Sequence, residues 1–231
     1  MPKELFTKKN IAIFIALLFH FSGAIGILYS ANKDWFIANT PLNLLLMTGL
    51  LLWMQPDKGI KFFLFFGISF LVGMGTEMIG VNTGKLFGTY EYGTVMGPKL
   101  NGVPYLIGIN WFLVTFCCGV LLTKISDWTE EKYENMGVRL KPWMLTFAFV
   151  LDGGMLATVF DYNIEPVAVK LGFWHWKEDA IPWFNYVCWF AISAQLAMLF
   201  KKLDFDKDNQ FAVHLLVIQA LFFITLKFYL P

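Results

Sequence analysis

Charge is what this sequence has least of. Only 15% of its 231 residues are Asp, Glu, Lys or Arg, where a soluble chain carries about a quarter. The formal net charge is +1, which offers no basic field to a nucleic-acid backbone, so no nucleic-acid partner is expected. Cysteine is nearly as scarce. Cys117, Cys118 and Cys188 all lie inside apolar runs, which gives neither a disulfide framework nor a metal-ligand spacing. The three histidines, His20, His175 and His214, are too few and too scattered for a di-iron site, and His20 and His214 fall at different depths for haem. There is no phosphate loop, no dinucleotide fingerprint and no Ser-His-Asp pattern. These absences argue against nucleotide-driven and redox chemistry, and no cofactor or metal is expected. No Ser- or Pro-rich linker divides the chain, so residues 1–231 read as a single domain.

Apolar residues are abundant instead, at 57%. They form continuous runs rather than the alternating pattern of a membrane barrel. Several runs approach the ~20 residues a spanning helix needs. The expected fold is an all-α, polytopic transmembrane helix bundle with about seven spans, near 10–30, 40–54, 60–79, 104–123, 142–161, 183–200 and 211–230. The first run follows lysines, as in a signal peptide, but it lacks a small-residue cleavage site and is kept as a span.

Lys and Arg fall unevenly about these spans. Lys3, Lys8, Lys9, Lys58, Lys61, Lys124, Lys132, Arg139, Lys141, Lys201, Lys202 and Lys207 share one side, and six lysines share the other. The richer side is expected to be cytoplasmic. That orients the N-terminus inward, in a bacterial cytoplasmic (inner) membrane. The two longest connections, 80–103 and 162–182, then lie together outside.

Those connections resemble each other. In one, Glu77 is followed by Tyr90-Glu91-Tyr92, Pro104 and Trp111-Phe112; in the other, Asp161 is followed by Trp174-His175-Trp176, Pro182 and Trp189-Phe190. Proline suits the first turn of a helix. The units repeat two spans apart, which predicts a parallel internal repeat of spans 3–4 and 5–6.

Carboxylates inside such spans are costly and usually face a bundle interior. Asp152 sits mid-span, and Glu77 and Asp161 fall near span ends on the same side. Terminal acids also reach headgroups, but two acids at one depth can divide acid and base roles. Asp152 and Asp161 are nine residues apart, about 13.5 Å of rise and half a turn out of phase, so one unbroken helix cannot aim both at a small pocket. Glu165 precedes Pro166, which favours extended backbone, and is expected in the loop over the site. Asn110 and Asn185 suit orienting a carboxylate or water, or gluing helices. The aromatic triplets suit an interfacial belt. They also suit stabilising a carbocation, through Tyr90, Tyr92, Trp174, His175 and Trp176, with Trp111 and Trp189 beside them.

The run Glu77-x-x-Gly80-x-x-Thr83-Gly84-x-x-Phe87-Gly88-x-Tyr90-x-Tyr92, with Gly102-Val103-Pro104 and Trp111, resembles the first signature of the carotenoid biosynthesis integral-membrane family, of the carotenoid 1,2-hydratase and bisanhydrobacterioruberin hydratase type. Asp152, Asp161, Glu165-Pro166, Gly172-Phe173-Trp174, and Pro182 with Asn185 and Trp189 resemble its second. The chain departs from the pattern in Glu165, where Asp is usual, and in Ala180-Ile181, where Gly-Val is usual. The resemblance spans about residues 70–195. It implies hydration of the terminal isoprene double bond of an acyclic carotenoid end, such as that of lycopene or γ-carotene. The partners are then a lipophilic carotenoid, water and the bilayer. It does not say which of Asp161, Glu77, Asp152 and Glu165 is catalytic. Protonation by an acid, then water addition with proton loss to a base, fits these residues. Two other readings use them as well: a cyclase that protonates but excludes water, and a non-enzymatic transporter or carotenoid-binding protein.

Overall fold

The computed structural model describes residues 7–178 and 180–230; Lys3 of the basic set lies outside them. Its helices are α1 (Lys8–Tyr29), α2 (Lys33–Ala38), α3 (Thr40–Met54), α4 (Ile60–Thr83), α5 (Tyr105–Asn135), α6 (Pro142–Lys170), α7 (Trp183–Lys202) and α8 (Gln210–Tyr229). Short strands interrupt the connections: β1 (Tyr90–Tyr92), β2 (Lys99–Leu100) and β3 (Val103–Pro104) before α5, and β4 (Trp174–Trp176) before α7. The chain is thus an all-α multi-pass membrane protein.

Local chemistry sets the helix ends. Thr7 Oγ1 accepts from the Asn10 amide at 3.2 Å, and Asn209 Oδ1 accepts from the Ala212 amide at 3.2 Å, each satisfying an N-terminal donor that the helix leaves unpaired. Proline opens α3 and α6. Asn101 and Gly102, both at positive φ, form the two-residue turn between β2 and β3, as such hairpins require.

Among the described residues, six helices are long and apolar enough to cross a membrane; α3, with 15 residues, is shorter. At 1.5 Å per residue it rises about 22 Å, against about 30 Å of hydrocarbon. The second expected span, 40–54, is therefore a helix shorter than the hydrocarbon is thick. The bundle has two well-defined ends. At one, Lys61 pairs with Asp204 at 3.2 Å and Lys124 with Asp208 at 2.7 Å, while Lys8 donates to the Trp53 carbonyl at 2.8 Å. At the other, Lys170 donates to the Leu230 carbonyl at 2.8 Å. α5 runs through the middle, packed by α4, α6, α7 and α8, with Trp111, Phe112, Leu113 and Phe116 fully buried. The outer faces are apolar too: Phe14, Phe21, Leu71, Val159 and Leu221 are each more than half exposed. Helices that are hydrophobic all round belong in lipid.

Two expectations for α6 are corrected. The helix does not end at Asp161, and Glu165 is not in a loop; both lie within α6, which runs on to Lys170. Pro166 inside the helix removes the N–H that would bond to the Tyr162 carbonyl. Lys227 of α8 supplies the missing donor: its Nζ lies 3.2 Å from that carbonyl oxygen and 3.8 Å from the centre of the Tyr162 ring. The helix therefore continues through the proline, and Asp161 and Glu165 stand one turn apart on one face. Asp152 is also corrected. It is exposed on the outer face of α6, because Gly153 and Gly154 turn toward α7, where added Cβ atoms would meet Ala197 and Phe190 at 2.5 and 2.8 Å.

Candidate active site

The two aromatic triplets pair with each other. β1 and β4 run antiparallel with Tyr90 opposite Trp176, Glu91 opposite His175 and Tyr92 opposite Trp174. This is the register a two-fold relation between the two units requires, with Glu91 and His175 on the axis. Gly93 lets the strands approach: a Cβ there would collide with the Gly172 carbonyl oxygen. Strand alternation then turns Tyr90, Tyr92, Trp174 and Trp176 inward. Glu91 and His175 are exposed, so the structure does not bring His175 to the site.

Beneath this ribbon three carboxyl groups converge, and Glu77, Asp161 and Glu165 are each at most 4% exposed. Glu77 Oε2 accepts from the Tyr90 hydroxyl and from the Tyr92 hydroxyl at 2.7 Å; its Oε1 accepts from Trp111 Nε1 at 3.0 Å. Glu165 Oε2 accepts from Trp174 Nε1 at 2.9 Å and Trp176 Nε1 at 3.0 Å. Asn185 Nδ2 donates to Glu165 Oε1 at 3.2 Å and to Asp161 Oδ2 at 2.9 Å. Asp161 Oδ1 has no partner among the described residues. Trp111 and Trp189, at matching places in α5 and α7, stack with centroids 3.9 Å apart and planes 8° from parallel. Gly73 makes room for Trp111, since a Cβ would fall 2.5 Å from the indole.

The donor types differ in a chemically useful way. Indole N–H groups donate and never accept, so the Glu165 oxygen between two of them is held as an acceptor. The phenols stay donors as well: burial, then the charge of Glu77, pushes the hydroxyls of Tyr90 and Tyr92 above their ordinary range.

The three acids surround a space of about 30 Å³, room for a water molecule. Ile107, Asn110 and Trp174 line that space and also a second cavity of about 260 Å³. The larger cavity lies among α1, α2, α3 and α8, with mainly apolar walls. Asn110 thus stands at the junction of a small polar chamber and a larger apolar one. Among the described residues no group of three or more His, Cys, Asp or Glu could hold a metal ion.

Sequence reasoning missed the larger cavity and Lys227. The signal for Lys227 was present: a lone lysine near the end of the last apolar run, and a proline inside another run that must free one carbonyl.

The site is a buried acid cluster inside the apolar bundle of a multi-pass membrane protein, next to a mainly apolar cavity. Residues 39–230 match the family model described as "carotenoid biosynthesis protein", and the chain belongs to that family. A named relative that it matches is bisanhydrobacterioruberin hydratase of Haloarcula japonica, 28% identical over 141 residues, which cover 59% of this chain and 43% of the relative. The chain therefore spans less than half the length of that curated relative. No solved structure matches.

Proposed function

We propose that this protein hydrates the terminal isoprene double bond of an acyclic carotenoid end, without redox or nucleotide chemistry. One observation carries the reading: three buried carboxyl groups surround a water-sized space that opens beside a mainly apolar cavity. The family and the hydratase name of the relative support it.

Hydrating a trisubstituted alkene needs a proton donor, stabilisation of the tertiary cation, and a base for the attacking water. Asp161 is the donor. It is the one acid of the three with an oxygen left without a donor, so that oxygen carries the proton and faces the reacting carbon. Glu77 and Glu165, surrounded by N–H and O–H donors, are carboxylates, and they balance the cation together with the faces of the surrounding indoles. The proton moves from Asp161 to the less substituted alkene carbon. Water in the small chamber, positioned by Asn110, adds to the tertiary carbon and loses its proton to Glu165. Asp161 and Glu165 lie one turn apart on one face of α6, so the proton passes back from Glu165 to Asp161 through water in the chamber, while Asn185 holds both groups in place, and the cycle closes without net change.

The water-sized chamber favours addition over cyclisation. Expression in a lycopene-producing bacterium, with mass spectrometry of the pigments, tests this. A gain of one water per reacted end is expected; a cyclised isomer of unchanged mass would overturn the hydratase assignment. From the uneven Lys and Arg distribution, we further propose that the protein lies in the cytoplasmic (inner) membrane with the N-terminus inside and the ribbon outside. Cysteine labelling at Lys99 and Lys207 should then find the first accessible only from outside and the second only from inside. The reverse pattern would invert the orientation.

A further inference from the structure

The two units share one chamber but do not frame it alike. In the repeat, Pro104 pairs with Pro182, which matches Ile107 to Asn185, Asn110 to Cys188 and Trp111 to Trp189. Tyr90 pairs with Trp174, which matches Glu77 to Asp161, Gly80 to Ile164 and Phe87 to Leu171. Ile107, Asn110 and Trp174 form the mouth between the small chamber and the larger cavity. A two-fold relation therefore calls for a second mouth at Asn185, Cys188 and Tyr90. Phe87 stands there. Its N–H donates to Cys188 Sγ at 3.3 Å, and its ring meets the Tyr90 ring edge-on with centroids 6.3 Å apart. A Cβ on Gly80 would lie 3.0 Å from Phe87 Cδ2. Phe87 lines the small chamber and not the larger cavity. It is 2% exposed, although Lys85 and Thr89 in the same loop are exposed. The helices α1, α2, α3 and α8, which wall the larger cavity, have no counterpart in the repeat, so a second mouth would open on the outside of the bundle.

Holding Phe87 there strains the backbone. Its mate Leu171 has an ordinary φ of −89° and lines the larger cavity. Phe87 has φ +63°, a region that a bulky side chain seldom enters. The Gly88 N–H donates to the Leu86 carbonyl at 2.7 Å, which makes Phe87 the centre of a γ-turn of the rarer, strained hand. Such strain persists only where the surroundings enforce it, and it gathers at functional sites. The second unit enforces it here: a Cβ on Gly88 would fall 2.8 Å from Pro182 and 3.3 Å from Trp176. We propose that Phe87 is a specificity-determining stop that closes the second mouth. A chain entering past Asn110 can bring its end to the acids, with room left for about one water, and cannot thread through. The acids then meet only the terminal double bond, and the groups on the terminal carbon have little space beyond them. The chemistry in this inference rests on the hydratase reading; the closed mouth rests on the geometry alone.

The test uses the purified full chain in phospholipid nanodiscs with two acyclic polyenes. One ends in the ordinary isopropylidene group, and the other has both terminal methyls enlarged to ethyl. Hydration is read by mass spectrometry. The wild-type protein should hydrate the enlarged end at least about tenfold more slowly, the usual effect of surplus methylenes at an apolar wall. In Phe87→Gly, which suits the positive φ, the two rates should approach each other, and Phe87→Leu should fall between. A second readout needs no turnover. N-ethylmaleimide should modify Cys188 several-fold faster in Phe87→Gly than in the wild type, because the reactivity of a thiol follows its access, with Cys117 and Cys118 unchanged; the adducts are located by peptide mass spectrometry. Equal hydration of both ends by the wild type, or a ratio unchanged in both variants, overturns the stop. The wild-type ratio decides even where a variant fails to accumulate. Faster modification of Cys188 in Phe87→Gly, with neither polyene hydrated by the wild type, supports the closed mouth and overturns the reaction. Hydration of both ends at one rate, with Cys188 modified no faster in Phe87→Gly, does the reverse.

Discussion

The contact between Lys227 and the Tyr162 carbonyl exists because Pro166 cannot donate, and that dependence can be measured. Removing the ammonium in Lys227→Met leaves the Tyr162 carbonyl, on an exposed face of α6, without a donor; where lipid excludes water this costs about 1–3 kcal/mol. The same substitution also removes the approach to the Tyr162 ring and a 3.5 Å contact to Asn163 Oδ1. A second substitution separates these. Pro166→Ala restores an N–H four residues after Tyr162, so the carbonyl is satisfied within the helix and Lys227 is no longer needed there. Contacts other than the carbonyl are lost equally in both backgrounds and cancel in a double-mutant cycle. The coupling should therefore be about 1–3 kcal/mol. At about 2–4 °C per kcal/mol for a chain of this size, Lys227→Met should lower the melting temperature by several degrees in the wild type and by much less in Pro166→Ala. The assay is thermal unfolding in one detergent at fixed protein and lipid. Equal losses in the two backgrounds would refute the argument, and the continuity of α6 past Pro166 would need another cause.

Three further outcomes are expected. Asp161→Asn should lower turnover by about 10²–10⁴-fold, the usual contribution of a general acid, with folded yield retained; full activity at equal folded protein would pass the donor role to Glu77 or Glu165. Gly73→Ala should reduce melting temperature and activity together, because its Cβ would meet the Trp111 indole at 2.5 Å, while Gly75→Ala, with nothing within 4 Å, should do neither; equal effects would mean that Trp111 yields freely. Alkaline stability should depend on Tyr90 and Tyr92. Their folded hydroxyls hold protons above the ordinary range, whereas unfolded tyrosines release them near pH 10. Above that pH the unfolded state binds fewer protons than the folded state, so stability falls as pH rises. Tyr92→Phe should flatten that fall, and an unchanged slope in pH-dependent unfolding would contradict it.

Much of this was legible from residues alone, and the misses have identifiable causes. Continuous apolar runs specify helices because nothing else satisfies the backbone in lipid, and the short run at 40–54 became the short α3. The alternation Tyr-Glu-Tyr and Trp-His-Trp reads as inward and outward faces. Their pairing across more than 80 residues is a long-range fact that no local pattern encodes. The acid face of α6 was half visible. Gly154, Ala157 and Asp161 follow helical spacing, and Glu165 continues it by one more turn. The local rule for residues before proline hid Glu165, since its exception is supplied by a lysine from another helix. Asp152 drew attention for its depth, yet its phase on α6 points it outward.

Each half of the ribbon serves its own carboxylate. Tyr90, Tyr92 and Trp111 come from the α4–α5 unit and hold Glu77; Trp174, Trp176 and Asn185 come from the α6–α7 unit and hold Glu165, with Asn185 also holding Asp161. What joins the units here is ring stacking and strand pairing, not a carboxylate waiting for a distant donor. During synthesis the first unit emerges before the second. Each can therefore enter the bilayer with Glu77, or Asp161 and Glu165, already held by donors of its own unit, and the closing of the ribbon does not depend on a donor from the other unit.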